Sequence, residues 1–218
     1  MTMIVALEGP DGAGKSTMVQ DLMAWARSEG FTARVVGKWD IFRPGMVPQA
    51  RFLRGTDQQD LRVCIAEMPS PARMLFLGWM NTTAAFRAGE AEEDLVILDG
   101  YWAKHAAAEL LAGCPPQLVH AVTAAITPVD LTVYLDVTPE EALRRKGDDI
   151  APYECGRDPD CSPARFLKHQ AAVRAVLLDW AKTFGWTVVR TDQVTAARRQ
   201  LRECVHAKLL ADRARAAS

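Results

Sequence analysis

The sequence lacks features that would assign it to several large classes of protein. None of its apolar segments approaches the roughly 18 residues that span a membrane, and its N-terminus lacks the basic region and cleavage site of a signal peptide. The net charge is only −1, so no overall attraction draws the chain to nucleic acid or to an anionic membrane. We therefore expect a cytoplasmic protein with a small-molecule partner, bound neither to nucleic acid nor to a membrane.

Cysteine is also sparse, because the 218-residue chain has five cysteines and no CxxC motif. An odd number in a sequence of intracellular type favours free thiols. For Cys155 and Cys161, a redox pair or half of a metal site remains an alternative. No internal repeat or linker interrupts the chain, which predicts a single domain over residues 1–218.

The most informative pattern lies near the N-terminus. Residues 4–7 are apolar and run directly into GPDGAGKST at residues 9–17, which matches the phosphate-binding pattern G-x-x-x-x-G-K-[ST]. Glycines let the backbone N–H groups turn inward around an anion, and the following helix adds its positive N-terminal end. Lys15 would reach the outer phosphates of ATP, and Ser16 would offer its hydroxyl to Mg²⁺. The predicted ATP-binding residues are Gly9, Asp11, Gly12, Ala13, Gly14, Lys15, Ser16 and Thr17.

The remainder of the chain alternates short apolar segments with helical ones. Strand-like segments lie at residues 4–7, 32–36, 95–99, 131–135 and 186–190. Strands separated by helices predict a parallel sheet with right-handed crossovers, which is an α/β fold of three layers with helices on both faces. Ligands of such sheets bind at the carboxyl ends of the strands.

Three acidic residues fall at this edge, because Asp11, Asp40 and Asp99 each follow a predicted strand. Asp99 comes directly after a buried strand, as a Walker B acid does, and it would hold Mg²⁺ directly or through water. The alternative for Asp99 is a helix N-cap. The first interpretation is favoured, since the phosphate loop already requires a metal partner.

Residues 147–162 break the periodicity and predict a lid. Arg144, Arg145 and Lys146 border this segment, and Arg157 lies inside it. A closing lid would exclude water and bring an arginine to the transferring phosphate. The alternative is a solvated basic helix end that complements the helix dipole.

Together these features resemble the thymidylate kinase family of nucleoside monophosphate kinases. The resemblance is carried by residues 8–17, 95–101 and 131–145 and by the lid-like segment after them. It implies a P-loop NTP hydrolase-like fold with a five-stranded parallel sheet, an ATP·Mg²⁺ site and transfer of the γ-phosphoryl group to a nucleoside monophosphate. It also implies that Asp11 approaches the acceptor sugar. Family members are often homodimers, and the helix around residues 75–86 is a plausible interface.

The acceptor side departs from the family pattern. Gly100 stands where the family has the arginine of Asp-Arg-Tyr, and Met80 stands where the family has an arginine in the long helix. Trp39-Asp40-Ile41 replaces the family's Arg-Glu-Pro. Arg51 is a further candidate for the missing phosphate contact. The predicted substrate-binding residues are Asp11, Asp40, Arg43, Arg54, Arg73, Trp79 and Tyr101.

Three functions remain open at this point. The first is an ATP-dependent kinase of a nucleoside monophosphate, either dTMP or another nucleotide. The second is a kinase of a hydroxyl group on a nucleoside or other small metabolite, with Asp40 as the base. The third is a nucleotide-binding protein without catalysis, which the intact Lys-Ser-Thr and the lid arginines disfavour. The predicted catalytic residues are Lys15, Asp40, Asp99, Arg144, Arg145 and Arg157, and the predicted metal ligands are Ser16 and Asp99.

Overall fold

The computed structural model describes residues 2–43, 46–53, 55–158 and 160–216. Its strands are β1 (Met3–Glu8), β2 (Ala33–Val36), β3 (Leu95–Asp99), β4 (Leu131–Asp136) and β5 (Thr187–Arg190). Its α-helices are α1 (Lys15–Ser28), α2 (Gln58–Glu67), α3 (Ser70–Gly89), α4 (Ala103–Leu111), α5 (Pro116–Ala124), α6 (Pro139–Lys146), α7 (Pro163–Phe184) and α8 (Val194–Ala216). Short 3-10 helices cover Lys38–Phe42, Pro48–Leu53 and Pro152–Cys155.

The five strands form one parallel sheet in the order β2-β3-β1-β4-β5. The central strand β1 pairs with β3 on one side and β4 on the other, so that Val5 lies between Ile97 and Leu131. The chain changes direction across the sheet beside β1, which is where open α/β sheets bind ligands. The prediction of a five-stranded parallel sheet flanked by helices is confirmed.

Apolar side chains cover both faces of the sheet. Leu95 and Ile97 belong to the core that α1 and α8 complete, whereas Val96 and Leu98 belong to the core that includes Ala84 of α3. This alternation follows from the strand geometry, which directs successive side chains to opposite faces. Burial on both faces explains why β3 is a continuous apolar run. Within the described ranges, every helix is too short or too polar to cross a membrane.

The predicted lid segment contains one turn of 3-10 helix and a disulfide between Cys155 and Cys161. The two Cα atoms lie 5.3 Å apart, within the range that a disulfide spans. The expectation of free thiols was therefore wrong for this pair, because the turn between the two residues folds the chain back on itself. It was correct for Cys64, Cys114 and Cys204, which are free.

Candidate active site

The phosphate loop joins β1 to α1 and is closely packed. Gly12 and Gly14 have φ angles of +78° and +81°, a region that L side chains rarely adopt. A Cβ added to Gly12 would lie 2.8 Å from the Cα of Ala142 in α6. No larger residue fits at position 12 without displacing α6. Glycine is therefore required at this position because the backbone of the loop lies against the backbone of α6.

Lys15 is folded back into the loop. Its Nζ donates hydrogen bonds to the carbonyl oxygens of Gly9 and Pro10, both at 2.8 Å. Burial and the nearby ammonium group of Lys104 lower the pKa of Lys15 to about 8. The side chain is therefore held over the loop, where the motif predicts it to meet the outer phosphates of a nucleotide.

Ser16 and Asp99 meet at the carboxyl edge of the sheet. The Ser16 hydroxyl donates to Oδ2 of Asp99 at 3.4 Å, although the residues are 83 positions apart. A hydroxyl and a carboxylate oxygen are the donor types that Mg²⁺ prefers, and Mg²⁺ in nucleotide sites completes its shell with water and phosphate oxygens. The donor set therefore fits Mg²⁺, although the described residues contain no group of three His, Cys, Asp or Glu side chains that could hold a metal.

Three lysines share the same edge, and we call Lys15, Lys38 and Lys104 the lysine cluster. Lys104 forms an ion pair with Asp11 at 2.7 Å. Burial would raise the pKa of Asp11, but the ammonium groups of Lys104 and Lys15 hold this pKa below its usual range. Burial together with Lys104 and Lys15 lowers the pKa of Lys38 to about 7. Two of the three lysines were absent from the sequence predictions.

Lys38 and Glu8 each have an unused polar group in this cluster. In the part of the chain that the structure describes, the Lys38 ammonium makes no hydrogen bond or ion pair and lies 5.8 Å from the ring centroid of Trp39. Glu8 is buried, and its Oε1 accepts from the backbone N–H of Ala103 at 2.8 Å. Its Oε2 has no hydrogen-bond partner within the described ranges, and burial raises the pKa of Glu8. The edge therefore holds uncompensated polar groups, which is typical of a ligand site.

Of the two predicted catalytic arginines in α6, one reaches the phosphate loop. The Arg145 guanidinium donates to the carbonyl oxygens of Gly12 at 3.2 Å and Thr191 at 2.6 Å. Arg144 is 72% exposed and is held by Glu141 of its own helix. The structure therefore brings Arg145 to the site and leaves Arg144 on the surface.

Arg157 lies further out, in the lid, where its φ angle is +68°. A cavity of about 40 Å³ separates this part of the lid from α4. Its lining includes Arg73, Glu109, Tyr153, Arg157 and His169. The Tyr153 hydroxyl is buried and has no partner among the described residues. Arg157 thus faces the junction between lid and α4 rather than the phosphate loop.

Gln170 of α7 touches both the phosphate loop and the lid. Its Oε1 accepts from the Asp11 backbone N–H at 3.3 Å, and its Nε2 donates to the Glu154 carbonyl oxygen at 2.8 Å. Gln170 is 2% exposed. Sequence reasoning missed this residue, because nothing in the local pattern of α7 distinguishes it from a core-facing glutamine.

With this geometry established, comparison with known proteins gives a consistent result. No protein-family model matches the chain. The chain is 30% identical over 161 residues to the thymidylate kinase of Parasynechococcus marenigrum, a match that covers 67% of this chain and 73% of that protein. The chain belongs to the thymidylate kinase family. A probable thymidylate kinase of Archaeoglobus fulgidus is 28% identical over 155 residues, which cover 70% of this chain and 74% of that protein.

A solved structure shows the same fold. The thymidylate kinase from Ehrlichia chaffeensis superposes with a TM-score of 0.63 at 17% identity, over 94% of this chain and 98% of that one. The prediction of an ATP-dependent kinase that transfers a phosphoryl group to a nucleoside monophosphate is confirmed at the level of the family.

Within this thymidylate kinase fold, Asp40 has structural partners. Its Oδ2 accepts from the backbone N–H of Gly37 at 3.0 Å, and its Oδ1 pairs with Nε of Arg43 at 3.1 Å. The carboxylate therefore caps the start of the 3-10 helix Lys38–Phe42 and neutralises the charge of Arg43. Both residues were predicted to face the acceptor, and here they bind each other.

Arg73 and Tyr101 both have hydrogen-bond partners within the protein. Arg73 is fully buried and donates to Oε1 and Oε2 of Glu109 at 2.5 and 2.8 Å. Tyr101 is buried beside α3, and its hydroxyl donates to the Thr127 carbonyl oxygen at 2.6 Å. Both side chains donate their hydrogen bonds to other groups of the protein, which the sequence did not predict.

The remaining predicted acceptor residues belong to the segment after β2 and to α3. Trp79 packs against Phe52 and Phe76, with ring centroids 5.4 and 5.7 Å away. Arg51 is exposed on the 3-10 helix Pro48–Leu53. Arg54 lies outside the described residues. Their contacts to a substrate remain predictions.

Proposed function

We propose that the enzyme transfers the γ-phosphoryl group of Mg²⁺-bound ATP to the phosphate of a nucleoside monophosphate, and that Lys38 and Lys104 hold this acceptor phosphate. The observation that carries the proposal is the lysine cluster beside Asp11. Its three ammonium groups lie at the edge where ligands of such sheets bind. The Lys38 ammonium has no ion-pair partner among the described residues and would gain an anionic one.

The lysines would replace the arginine that the family places after Asp99. Gly100 occupies that position and has no side chain to offer. Lys104 stands five positions after Asp99 at the start of α4, and Lys38 follows β2, the strand next to β3. A lysine binds phosphate as a point charge rather than through a fork of two hydrogen bonds, so positive charge is retained while the geometry of recognition changes.

A phosphate acceptor also agrees with the state of Asp40. A hydroxyl acceptor must lose a proton and benefits from a base, whereas a phosphate oxygen is already anionic. The Asp40 carboxylate already accepts from Gly37 and pairs with Arg43. These contacts disfavour the role of base, and with it the hydroxyl-kinase alternative.

The residues around the loop have distinct tasks in this proposal. Ser16 and Asp99 would hold Mg²⁺, which supplies charge neutralisation between the phosphates when it is bound. Lys15 leaves its two carbonyl partners to bind the outer phosphates. An acceptor oxygen attacks the γ-phosphorus in line and ADP leaves. Arg145, which donates to the Gly12 carbonyl oxygen of the loop, would stabilise the charge on the transferring group.

We further propose a cytoplasmic homodimer with one domain per chain. The exposed face of α3 supports the dimer, because Leu75 and Phe86 are 54% and 64% exposed, with half-buried Trp79 between them on the same side of the helix. We call this surface the α3 stripe. Neighbouring Phe52 is also exposed and contacts Trp79.

An ADP-release screen tests the assignment of the acceptor. Wild-type protein with ATP and Mg²⁺ is offered a panel of nucleoside monophosphates and the matching free nucleosides. We expect turnover with at least one monophosphate and none with the nucleosides. K15A should abolish turnover and leave the circular dichroism spectrum unchanged, whereas K182A, which alters an exposed lysine of α7, should behave as wild type. Turnover of nucleosides alone, or full turnover by K15A, would contradict the proposal.

A further inference from the structure

Gln170 contacts both the phosphate loop and the lid, two segments whose relative position matters for phosphoryl transfer. Its amide oxygen takes the Asp11 N–H of the phosphate loop, and its amide nitrogen binds the Glu154 carbonyl of the lid. The two contacts span 159 and 16 positions of sequence. Because Gln170 is 2% exposed and lies in a 22-residue helix, it is a rigid point between two loops.

On the lid side, Gln170 contacts a segment that is held at several points. The Glu154 side chain pairs with Lys146 at 3.1 Å and accepts from the Ala151 N–H at 3.1 Å. Cys155 is buried in the main core. The Arg157 N–H donates to the Pro152 carbonyl oxygen at 2.7 Å. Fixing the Glu154 carbonyl therefore fixes the turn that contains Arg157.

On the loop side, Gln170 holds the backbone of a residue whose side chain is in the lysine cluster. The Asp11 carboxylate pairs with Lys104 at 2.7 Å. A shift of the Asp11 backbone would carry this carboxylate and the Lys104 ammonium with it. An error of about 1 Å in such a site can cost on the order of 10²-fold in rate.

We propose that Gln170 is a positioning residue that holds both the lid and the phosphate loop against α7. The inference rests on the proposed function. Each amide end satisfies one backbone group. The contact with the Asp11 N–H is made from α7 and does not depend on the lid, whereas the contact with the Glu154 carbonyl holds the lid against α7. One side chain therefore fixes the lid and, through a separate contact, the geometry of Asp11 and Lys104.

Two variants separate the two contacts. In Q170E a carboxylate still accepts from the Asp11 N–H but repels the Glu154 carbonyl, so the lid contact alone is lost. In Q170L both contacts are lost at similar volume. The control is Q200L, because Gln200 of α8 donates to the Val188 carbonyl oxygen at 3.3 Å, away from the loop and the lid.

Hydrogen exchange and kinetics provide the readouts. Amide exchange in a peptide covering residues 150–158 should rise in both Gln170 variants, and exchange over residues 9–15 should rise only in Q170L. We expect kcat to fall about tenfold in Q170E and further in Q170L, with the KM for ATP nearly unchanged in Q170E. When the carboxyl group introduced by Q170E is protonated, it can donate to the Glu154 carbonyl, so the ratio of Q170E to wild-type kcat should rise as the pH falls from 8 toward 6. Q200L should match wild type throughout.

The proposal is overturned if the Gln170 variants lose only melting temperature and keep wild-type kcat and lid exchange, because Gln170 would then be a core residue alone. Equal exchange profiles in Q170E and Q170L would also contradict it. If the wild-type protein itself releases no ADP, the proposed function fails, and the exchange data alone decide whether Gln170 holds the lid and the phosphate loop.

Discussion

Among individual side chains, the lysine cluster has the largest consequence. Three ammonium groups share one region with Glu8 and Asp11, and burial is the main cause of the lowered pKa values of Lys15 and Lys38. Such an arrangement is unfavourable to the ligand-free fold, since charged groups lose hydration without full compensation. An anionic substrate would remove much of that cost on binding.

Replacing Lys38 by methionine should therefore separate stability from binding. The pKa of Lys38 is about 7 in the folded protein and about 10.4 in an unfolded chain. Between these values the unfolded chain binds the extra proton, so stability rises with pH across this window. Below about pH 7 the cost of protonating folded Lys38 is complete. K38M should raise the melting temperature of the ligand-free protein at pH 6 and have little effect near pH 10.

The same variant should weaken recognition of the acceptor. We expect K38M to raise the KM for the monophosphate about tenfold, equivalent to about 1.4 kcal/mol, while the KM for ATP stays within about twofold. K182M is the control for removing a lysine charge. A K38M enzyme with wild-type KM for the monophosphate would show that Lys38 does not touch the acceptor.

Among the elements of the fold, the lid has a strained backbone, which a disulfide constrains. Arg157 and Cys161 have φ angles of +68° and +35° without being glycine, a conformation that costs energy for L side chains. Both lie in the ring closed by the Cys155–Cys161 disulfide. The disulfide limits the alternatives open to this segment, which compensates for the strain.

Removing the disulfide should destabilise the protein measurably. For a ring of this size the loop-entropy relation gives about 2 kcal/mol, and because Cys155 is buried in the main core, the ring should unfold together with it. Urea denaturation of C155S/C161S should show a lower midpoint than wild type with an unchanged slope. Dithiothreitol should lower the wild-type midpoint to the same value and leave the variant unaffected.

C64S is the matched control, because Cys64 is exposed and free. Its midpoint should equal that of wild type with and without dithiothreitol. An oxidised wild type and a C155S/C161S variant with equal midpoints would mean that the ring contributes nothing to global stability.

For the whole molecule, the exposed apolar residues of the α3 stripe predict a homodimer. Apolar residues as exposed as Leu75 and Phe86 favour burial against a second copy. Sedimentation velocity should give a dimer for wild type and a monomer for L75R/F86R. L210R places the same charge on α8, where Leu210 is 52% exposed, and should remain dimeric. A monomeric wild type would contradict the dimer directly.

Much of this fold follows from local sequence patterns. The segment 95–99 predicted a buried strand, and β3 spans Leu95–Asp99. Ser162 predicted the start of a helix, and its hydroxyl accepts from the N–H of Arg165 at the beginning of α7. The phosphate loop was recognisable because its glycine and lysine spacing is contiguous. Periodicity, capping and turn chemistry depend on residues close together in the chain, and they can therefore be recognised from the sequence alone.

The hydrogen-bond and ion-pair partners of the site residues could not be predicted from the sequence. Gln170 meets Asp11 across 159 positions, and Lys104 meets it across 93. Arg73 looked like a ligand for a phosphate, but packing placed Glu109 against it in the interior. The sequence alone determined the order of strands and helices along the chain and the position of the candidate phosphate loop. Which charges pair, which stay unpaired and which side chain links lid to loop depended on long-range packing, because these contacts exist only after the helices have docked on the sheet.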